Sequence, residues 1–593
     1  MPKRRVLLVQ LPIPPVGHEP IRGNVPLAAG YLKLMARQHG LESKYEIEIF
    51  PATEANTLGD GALLAAILDR RPWLVGFTCY LWNVDRTLWL AGELKRLAPG
   101  IKVMLGGPEI TADNAWVLQH EAVDFAAIGE GEQTFCELLA DLAVRPQVER
   151  TIDGLFVRGR DPSTPIPFRR PLPRLDVISS PYLAGILDAA DERMLLLETV
   201  RGCIFKCKFC YYPKSYDSLY FLSPEKVVAN LEHARQRGAQ EVVLLDPTLN
   251  QRRDFTELLK LLIEGNHDRQ FTYFGELRAE GITPQIAAML RTANFTEVEI
   301  GLQSVDPAAQ ELMDRKNNLK AFERGVRALL DVGIQVKVDL IVGLPGDTRA
   351  SVRRGLDYLC ESGLYSSLQV FNLAVLPGTA FRQEADLLGL KFQPRPPYYV
   401  LSTPTLGLED FYELMREAQE RLDIEYDPLP PPRLDFDDCC APLSVIRLDL
   451  DRATPPSLPP TESLAQALTL WLRSPDFDRD RDRVVRVIEH VLLENPFTTL
   501  AVVFEPTADP RSLSTSTLDA SLRACFHRPT YLDRFYAVQP GRPKAAKRLI
   551  VLAPFSQRAD LEDWAQDIGE LADVVWRGAH ECEAALEEYE YVA

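Results

Sequence analysis

No run in this 593-residue sequence approaches the roughly 18 consecutive apolar residues that a membrane-spanning helix requires. The N-terminal MPKRRVLLVQLPIPP places basic residues ahead of an apolar run, but that run is short, stops at Pro12 and is followed by no small-residue cleavage site, so a secretory leader is not expected. Positive charge is in deficit. Lys and Arg number 66 against 84 Asp and Glu, and a net charge of −18 argues against broad contact with a phosphate backbone. No G-x-G-x-x-G follows the first strand, which disfavours a dinucleotide site. No second C-x2-C or H-x3-H stands opposite the one cysteine cluster, so a closed four-ligand zinc site lacks its other half. The expectation is a cytoplasmic protein with reduced cysteines and neither a membrane nor a nucleic acid as partner. Cys79, Cys136, Cys360 and Cys525 stand singly in apolar segments as small buried hydrophobes, and the adjacent Cys439 and Cys440 carry no assignment.

What is present divides the chain into regions. Residues 1–150 alternate aliphatic runs (RVLLVQ, YEIEIF, LVGFTCY, KVMLGG, DFAAIG) with helix-period segments, which predicts an α/β, doubly wound parallel sheet. Ligands of such sheets bind at the carboxyl ends of the strands. Two glycine turns fall there, Gly106-Gly107-Pro108-Glu109 and Gly129-Glu130-Gly131-Glu132. Both permit close approach to a ligand, and both also serve a tight strand-to-helix turn. Residues 151–190 read as a Pro- and Arg-containing connector. From 191 to 427 the alternation resumes with MLLLETV, EVVLLDP, FTYFGEL, EVEIGLQS, VKVDLIVGLPG and LQVFNLAVLPG, which predicts a full or partial (β/α) barrel with its site at the strand C-termini. A second Pro-rich boundary precedes residues 428–593, a smaller α+β domain without a readable motif, whose role is structural or substrate-shaping.

The stretch RGCIFKCKFCYY follows the first strand of the second region. Its Cys203, Cys207 and Cys210 supply three sulfur ligands at a spacing that one loop can wrap around a cuboidal cluster. Three ligands on four irons leave one iron open, as a catalytic metal site needs.

C-x3-C-x-aromatic-C, here with Phe209 as the aromatic, resembles the signature of radical S-adenosylmethionine (SAM) enzymes. LLDPTLN, GELRAE, EIGLQS and VGLPGDT extend the resemblance across successive strand ends. It implies a 4Fe-4S cluster on the three cysteines, with SAM on the open iron. Phe209 would lie near the adenine, Arg278 would pair with the SAM carboxylate, and Glu299 and Gln303 would reach the ribose or the amino group. Gly343 would admit backbone to the adenine, and Asp246 would face the same mouth. Glu276 would bind SAM or approach the open iron.

GNVPLAAGYL, GGPE, GEGE and SPYLAGIL resemble the cobalamin-binding subclass of that family, with Gly106, Gly107, Glu109, Gly129, Glu130 and Gly131 on the cobalamin side. D-x-H-x-x-G is missing, since none of His18, His39 or His120 has Asp two positions earlier, so cobalamin is expected without histidine ligation. Arg70 or Arg71, or the Tyr80-Leu81-Trp82 turn, would occupy the lower face. The resemblance implies methyl transfer from SAM through methylcobalamin to a carbon or phosphorus of a small-molecule substrate, with an external low-potential electron donor. It leaves open tryptophan-methylase chemistry without a radical, cyclisation, ring contraction or other redox chemistry without methyl transfer, and a non-catalytic metal-binding role.

Overall fold

The computed structural model describes residues 2–160, 164–212, 216, 218–436, 441–451, 458–539 and 546–578. The Cys439-Cys440 pair lies outside the described residues.

The first domain is built on strands β1 (Arg4–Gln10), β2 (Tyr45–Ile49), β3 (Leu74–Thr78), β4 (Lys102–Gly106), β5 (Phe125–Ala127) and β6 (Leu155–Val157), in the order β2-β1-β3-β4-β5-β6. β1 to β5 are parallel, and β6 joins the edge antiparallel to β5. β1 shows why the sheet is wound on both faces. Leu7 and Val9 pack with the helices at 60–69 and 84–97, while Val6 and Leu8 pack with those at 27–38 and 131–144. The strand order reverses between β1 and β3, which opens a crevice at the carboxyl edge, the place where such sheets bind ligands. β6 was expected to be connector. Its three-residue run is too short to stand out beside the Pro-rich stretch that follows.

The second domain is a partial barrel. β7 (Met194–Leu197) leads into β8 (Val200–Arg201), which pairs with β9 (Tyr220–Phe221) and so brackets the cysteine loop. β10 (Glu241–Leu244), β11 (Thr272–Phe274), β12 (Glu276–Leu277), β13 (Glu297–Gln303), β14 (Gln335–Val342) and β15 (Ser367–Asn372) follow, in two parallel sheets of order β11-β10-β7 and β12-β13-β14-β15. Only Gly275 separates β11 from β12, and Glu299 donates its N–H to the Gly275 carbonyl at 3.2 Å, so the two sheets form one arc. Along β13 and β14 the aliphatic residues alternate outward into the helix layer, and Glu299, Gly301, Gln303, Lys337 and Asp339 fall on the opposite, inner side. The short pair β16 (Lys391–Phe392) and β17 (Val400–Ser402) follows the arc.

The C-terminal domain mixes strands and helices in a regular way. β18 (Leu443–Asp449), β19 (Leu464–Ser474), β20 (Thr499–Pro506), β21 (Lys547–Pro554) and β22 (Asp573–Arg577) pair in chain order, all parallel, with helices between the later strands. The domain docks on the first one through a buried ion pair. Asp60, fully buried, accepts from Arg86 Nε at 2.6 Å and from the Phe497 backbone N–H at 2.7 Å. Asp60→Ala leaves the Arg86 guanidinium buried without a counter-charge, at an expected cost of about 3–5 kcal/mol. Urea unfolding should show a lowered midpoint, with Asp60→Asn falling between the variant and the wild type.

Among the described residues no helix is long and apolar enough to cross a membrane.

Candidate functional site

The cysteine loop is held at both ends. Gly202 sits at φ +98°, and a Cβ there would lie 2.3 Å from the Ser218 carbonyl oxygen, so the loop entrance accepts only glycine. Gln251 clamps the loop by donating to the Gly202 carbonyl at 3.1 Å and accepting from the Ile204 N–H at 2.9 Å. Arg278 lies over the Phe205 ring at 4.2 Å, and Lys208 pairs with Glu384 at 2.7 Å. Burial first, then the neighbouring Cys207 and Cys203, pushes the Cys210 thiol up to about 12, and burial, with Cys207 adding to it, raises Cys203. The three thiols thus share one environment. Among the described residues no three His, Cys, Asp or Glu side chains converge tightly enough to hold a single ion. Three cysteine thiols on one short loop are the donor set of an iron–sulfur cluster with one iron left open, so the residues present fit that group.

Sequence reasoning missed Arg315. Its Nη1 reaches Cys207 Sγ at 3.8 Å, and its Nη2 donates to the Gly301 carbonyl. Its Nε is buried and has no partner, and the same is true of Gln303 Oε1. Gln303 has φ +68° and folds back over Gly301, where a Cβ would lie 2.2 Å from Gln303 Nε2 and 3.4 Å from Arg315 Nη2. A buried donor and a buried acceptor left open over one glycine, beside the cysteines, fit a polar ligand such as SAM. Glu299 pairs with Lys337 at 3.0 Å. Burial, with Glu299 adding to it, pushes Glu276 up to about 7 and also raises Asp339, whose Oδ1 has no partner. Phe209 packs against the barrel core. Gly343 has φ +92°, with Phe411 ring carbons 3.1 Å from where a Cβ would be, so packing alone already requires glycine there.

Between the two domains lies a cavity of about 730 Å3. Its walls are the strand ends at Leu8, Gln10, Thr78 and Gly106, the two glycine turns, and Leu196, Glu198, Arg201, Tyr211, Tyr212 and Leu245 of the barrel. Gly106, Gly107, Gly129, Glu130 and Gly131 line it. Gly107, at φ +108°, has the Cys79 carbonyl oxygen 2.6 Å from where a Cβ would stand. Tyr80 and Trp82 also line the cavity, stacked at 4.5 Å with an interplanar angle of 6°. The lining includes none of the histidines among the described residues. Glycine turns beneath an open apolar cleft at a topological switch point fit a large planar cofactor such as cobalamin.

Three assignments are corrected by the structure. Arg70 lies at the opposite edge of the sheet, before β3, pairs with Glu48 at 3.0 Å and Glu54 at 2.7 Å, and lines no part of the cavity. Glu109 follows the left-handed Gly107 and is turned away from the cavity. Its carboxylate accepts from the Tyr398 hydroxyl at 2.7 Å and Asn114 Nδ2 at 3.2 Å. Asp246 is buried, and its oxygens accept from the Thr199 and Val200 N–H groups and the Thr199 hydroxyl, so it ties β8 to β10. Arg278, too, is engaged with protein, bonding Glu280 at 3.0 Å.

Burial pushes Glu109 from 4.5 up to about 7. A raised carboxyl stabilises the fold fully below the unfolded value, and that contribution is lost as pH rises through the folded one. Wild-type stability should therefore fall relative to Glu109→Gln between about pH 4.5 and 7, by about 3 kcal/mol in all, as read by urea midpoints across that range.

Residues 197–359 match the radical SAM superfamily and residues 24–139 the B12 binding domain. The cobalamin-dependent radical SAM methyltransferase TokK of Streptomyces tokunonensis is 27% identical over 403 residues, 63% of this chain and 57% of that one. The 2-(S-pantetheinyl)-carbapenam-3-carboxylate methyltransferase of Streptantibioticus cattleyicolor is 26% identical, over 64% of this chain and 58% of that one. The chain thus spans under three fifths of the length of either relative. Among solved structures, the methyltransferase TsrM from Kitasatospora setae, with tryptophan and a SAM analogue bound, gives a TM-score of 0.54 at 19% identity over 67% of this chain and 80% of its own. OxsB, with aqua-cobalamin and SAM bound, gives 0.55 at 14% over 70% and 67%.

Proposed function

Because the chain joins a B12-binding domain to a radical SAM domain and is homologous to cobalamin-dependent radical SAM methyltransferases, we propose that it moves a methyl group from SAM, by way of cobalamin, to an unactivated carbon or a phosphorus of a small molecule. The observation that carries this reading is the cavity with one wall from each domain, whose barrel wall includes Arg201, Tyr211 and Tyr212 on either side of the cysteine loop, so that a cofactor in the cavity would adjoin one on the cysteines. When bound, the cluster would supply the electron that cleaves SAM, and cobalamin would carry the methyl group.

The chain's own residues hold, orient and exclude. Cys203, Cys207 and Cys210 would ligate the cluster. Gln303 and Arg315 offer SAM an unused acceptor and an unused donor, and Phe209, Glu276 and Glu299 would complete its site. Gly107 and Gly129 let backbone approach the cobalamin, and the Tyr80-Trp82 stack would lie against its face in place of a histidine. Tyr31, Tyr211, Tyr212 and Tyr216 line the remaining wall. An external low-potential donor and the reducing cytoplasm complete the scheme.

A second reading, cyclisation or other redox chemistry without methyl transfer, draws on the match to the anaerobic magnesium-protoporphyrin IX monomethyl ester cyclase of Rubrivivax gelatinosus, 26% identical over 362 residues. Quantifying SAM products under anaerobic reduction separates the two. Methyl transfer yields S-adenosylhomocysteine, and deoxyadenosine alone would overturn it in favour of the second reading.

A further inference from the structure

A buried charge network joins the two halves of the cavity. Arg201 lies on β8, two residues before Cys203, and its guanidinium reaches both domains. Nη1 donates to Glu130 Oε1 at 3.1 Å and Glu132 Oε1 at 2.8 Å, at the start of the 131–144 helix of the first domain. Nε and Nη2 donate to Glu198 at 3.1 and 2.9 Å, within the barrel. The connector joins the same knot, because the Leu172 N–H donates to Glu130 Oε2 at 2.7 Å. Tyr31 of the first domain faces the guanidinium at 5.5 Å. The side chains of Arg201, Glu130 and Glu132 are 9%, 7% and 9% exposed, and all of them line the cavity.

We propose that Arg201 is a positioning residue that locks the Gly129–Glu132 turn to the cysteine loop and thereby sets the distance between cobalamin and the cluster. This rests on the cofactor reading above. Carboxylates from two domains on one planar fork leave little freedom of translation or rotation, and a lysine cannot reproduce that geometry. The backbone continues the constraint. β8 is paired with β9 across Arg201 and Tyr220, and Gly202 leads at once into the first ligand. Small errors in such an alignment are costly to a transfer between cofactors while leaving the binding of each intact.

The test needs no substrate. The anaerobically reconstituted full chain, with cobalamin in its Co(II) state and the cluster reduced, carries two paramagnetic centres, and pulsed EPR reads their dipolar coupling. Wild type should give one narrow coupling. Arg201→Met, and likewise Arg201→Lys, should retain both cofactors but show a coupling weakened or broadened by about twofold or more, because neither side chain forms the fork. Their ratio of abortive deoxyadenosine to S-adenosylhomocysteine should rise about tenfold. If Arg201→Met loses its fold to the uncompensated carboxylates, Arg201→Met combined with Glu130→Gln, Glu132→Gln and Glu198→Gln removes all three of its partner charges together and decides the matter. A variant that holds both cofactors with wild-type coupling and product ratio overturns the positioning role alone. A wild type that retains no cobalamin overturns the cofactor reading and this proposal with it.

Discussion

Cys203→Ala/Cys207→Ala/Cys210→Ala is expected to abolish the iron–sulfur absorbance and to lower SAM turnover by about a thousandfold or more, since no side chain replaces the chemistry of such a cofactor. Cobalamin should remain bound. The three thiols lie on a loop fastened by Gln251, Arg278 and Lys208. None of the three lines the interdomain cavity, whose lowest-numbered barrel residues are Leu196, Glu198 and Arg201. Replacing three buried or half-buried thiols with alanine removes no salt bridge, so the fold should persist. Visible spectra and iron content after anaerobic reconstitution and desalting check the first part, and chromatography of SAM products checks the second. Loss of cobalamin together with iron would show that the two sites are not independent.

The complementary lesion is Gly107→Ala, which should lose cobalamin while keeping the cluster. Alanine at φ +108° is strained by about 1–3 kcal/mol. Its methyl would stand 2.6 Å from the Cys79 carbonyl oxygen and 3.0 Å from the Cys79 N–H, both backbone atoms at the end of β3. Relief moves either the β4 turn or the β3 end, and both are cavity walls beside Tyr80. Cobalamin affinity should fall about thirtyfold or more, from about 2 kcal/mol of strain converted at 1.4 kcal/mol per decade. Equilibrium dialysis measures it, with iron content as the control. Gly129→Ala makes a graded comparison. That position also has positive φ, but nothing stands within 4 Å of the added methyl, so a smaller loss is expected.

The contrast between these glycines and their neighbours shows what was legible. Gly106, Gly107, Gly129 and Gly131 could be placed from sequence because strand ends are marked by aliphatic runs and a glycine there has one conspicuous use. The neighbouring side chains could not, because their direction depends on the turn. Gly107 at positive φ sends Glu109 to Tyr398, almost 290 residues away in sequence, a partner no local pattern announces. Arg70 stands beside a strand, but at its amino end, and the end decides whether a residue can see the ligand. Asp246 sits at a strand end as expected and is consumed by the backbone of the neighbouring turn. Arg201 escaped notice although it adjoins the cysteine motif, since its partners Glu130 and Glu132 lie some seventy residues earlier. Arg315 stands well beyond the motif that its guanidinium touches. In the C-terminal domain the helices and strands were readable, whereas their pairing in chain order into one parallel sheet is a tertiary fact.

The central claim is that one chain holds two cofactors side by side, one in the interdomain cavity and one on the cysteine loop that adjoins it. Iron and cobalt retained per chain, measured on wild type reconstituted anaerobically with iron, sulfide and hydroxocobalamin and then gel-filtered, test it most directly. About four irons and one cobalt per chain are predicted. Iron at that level with no cobalt, in protein that remains folded, would contradict it.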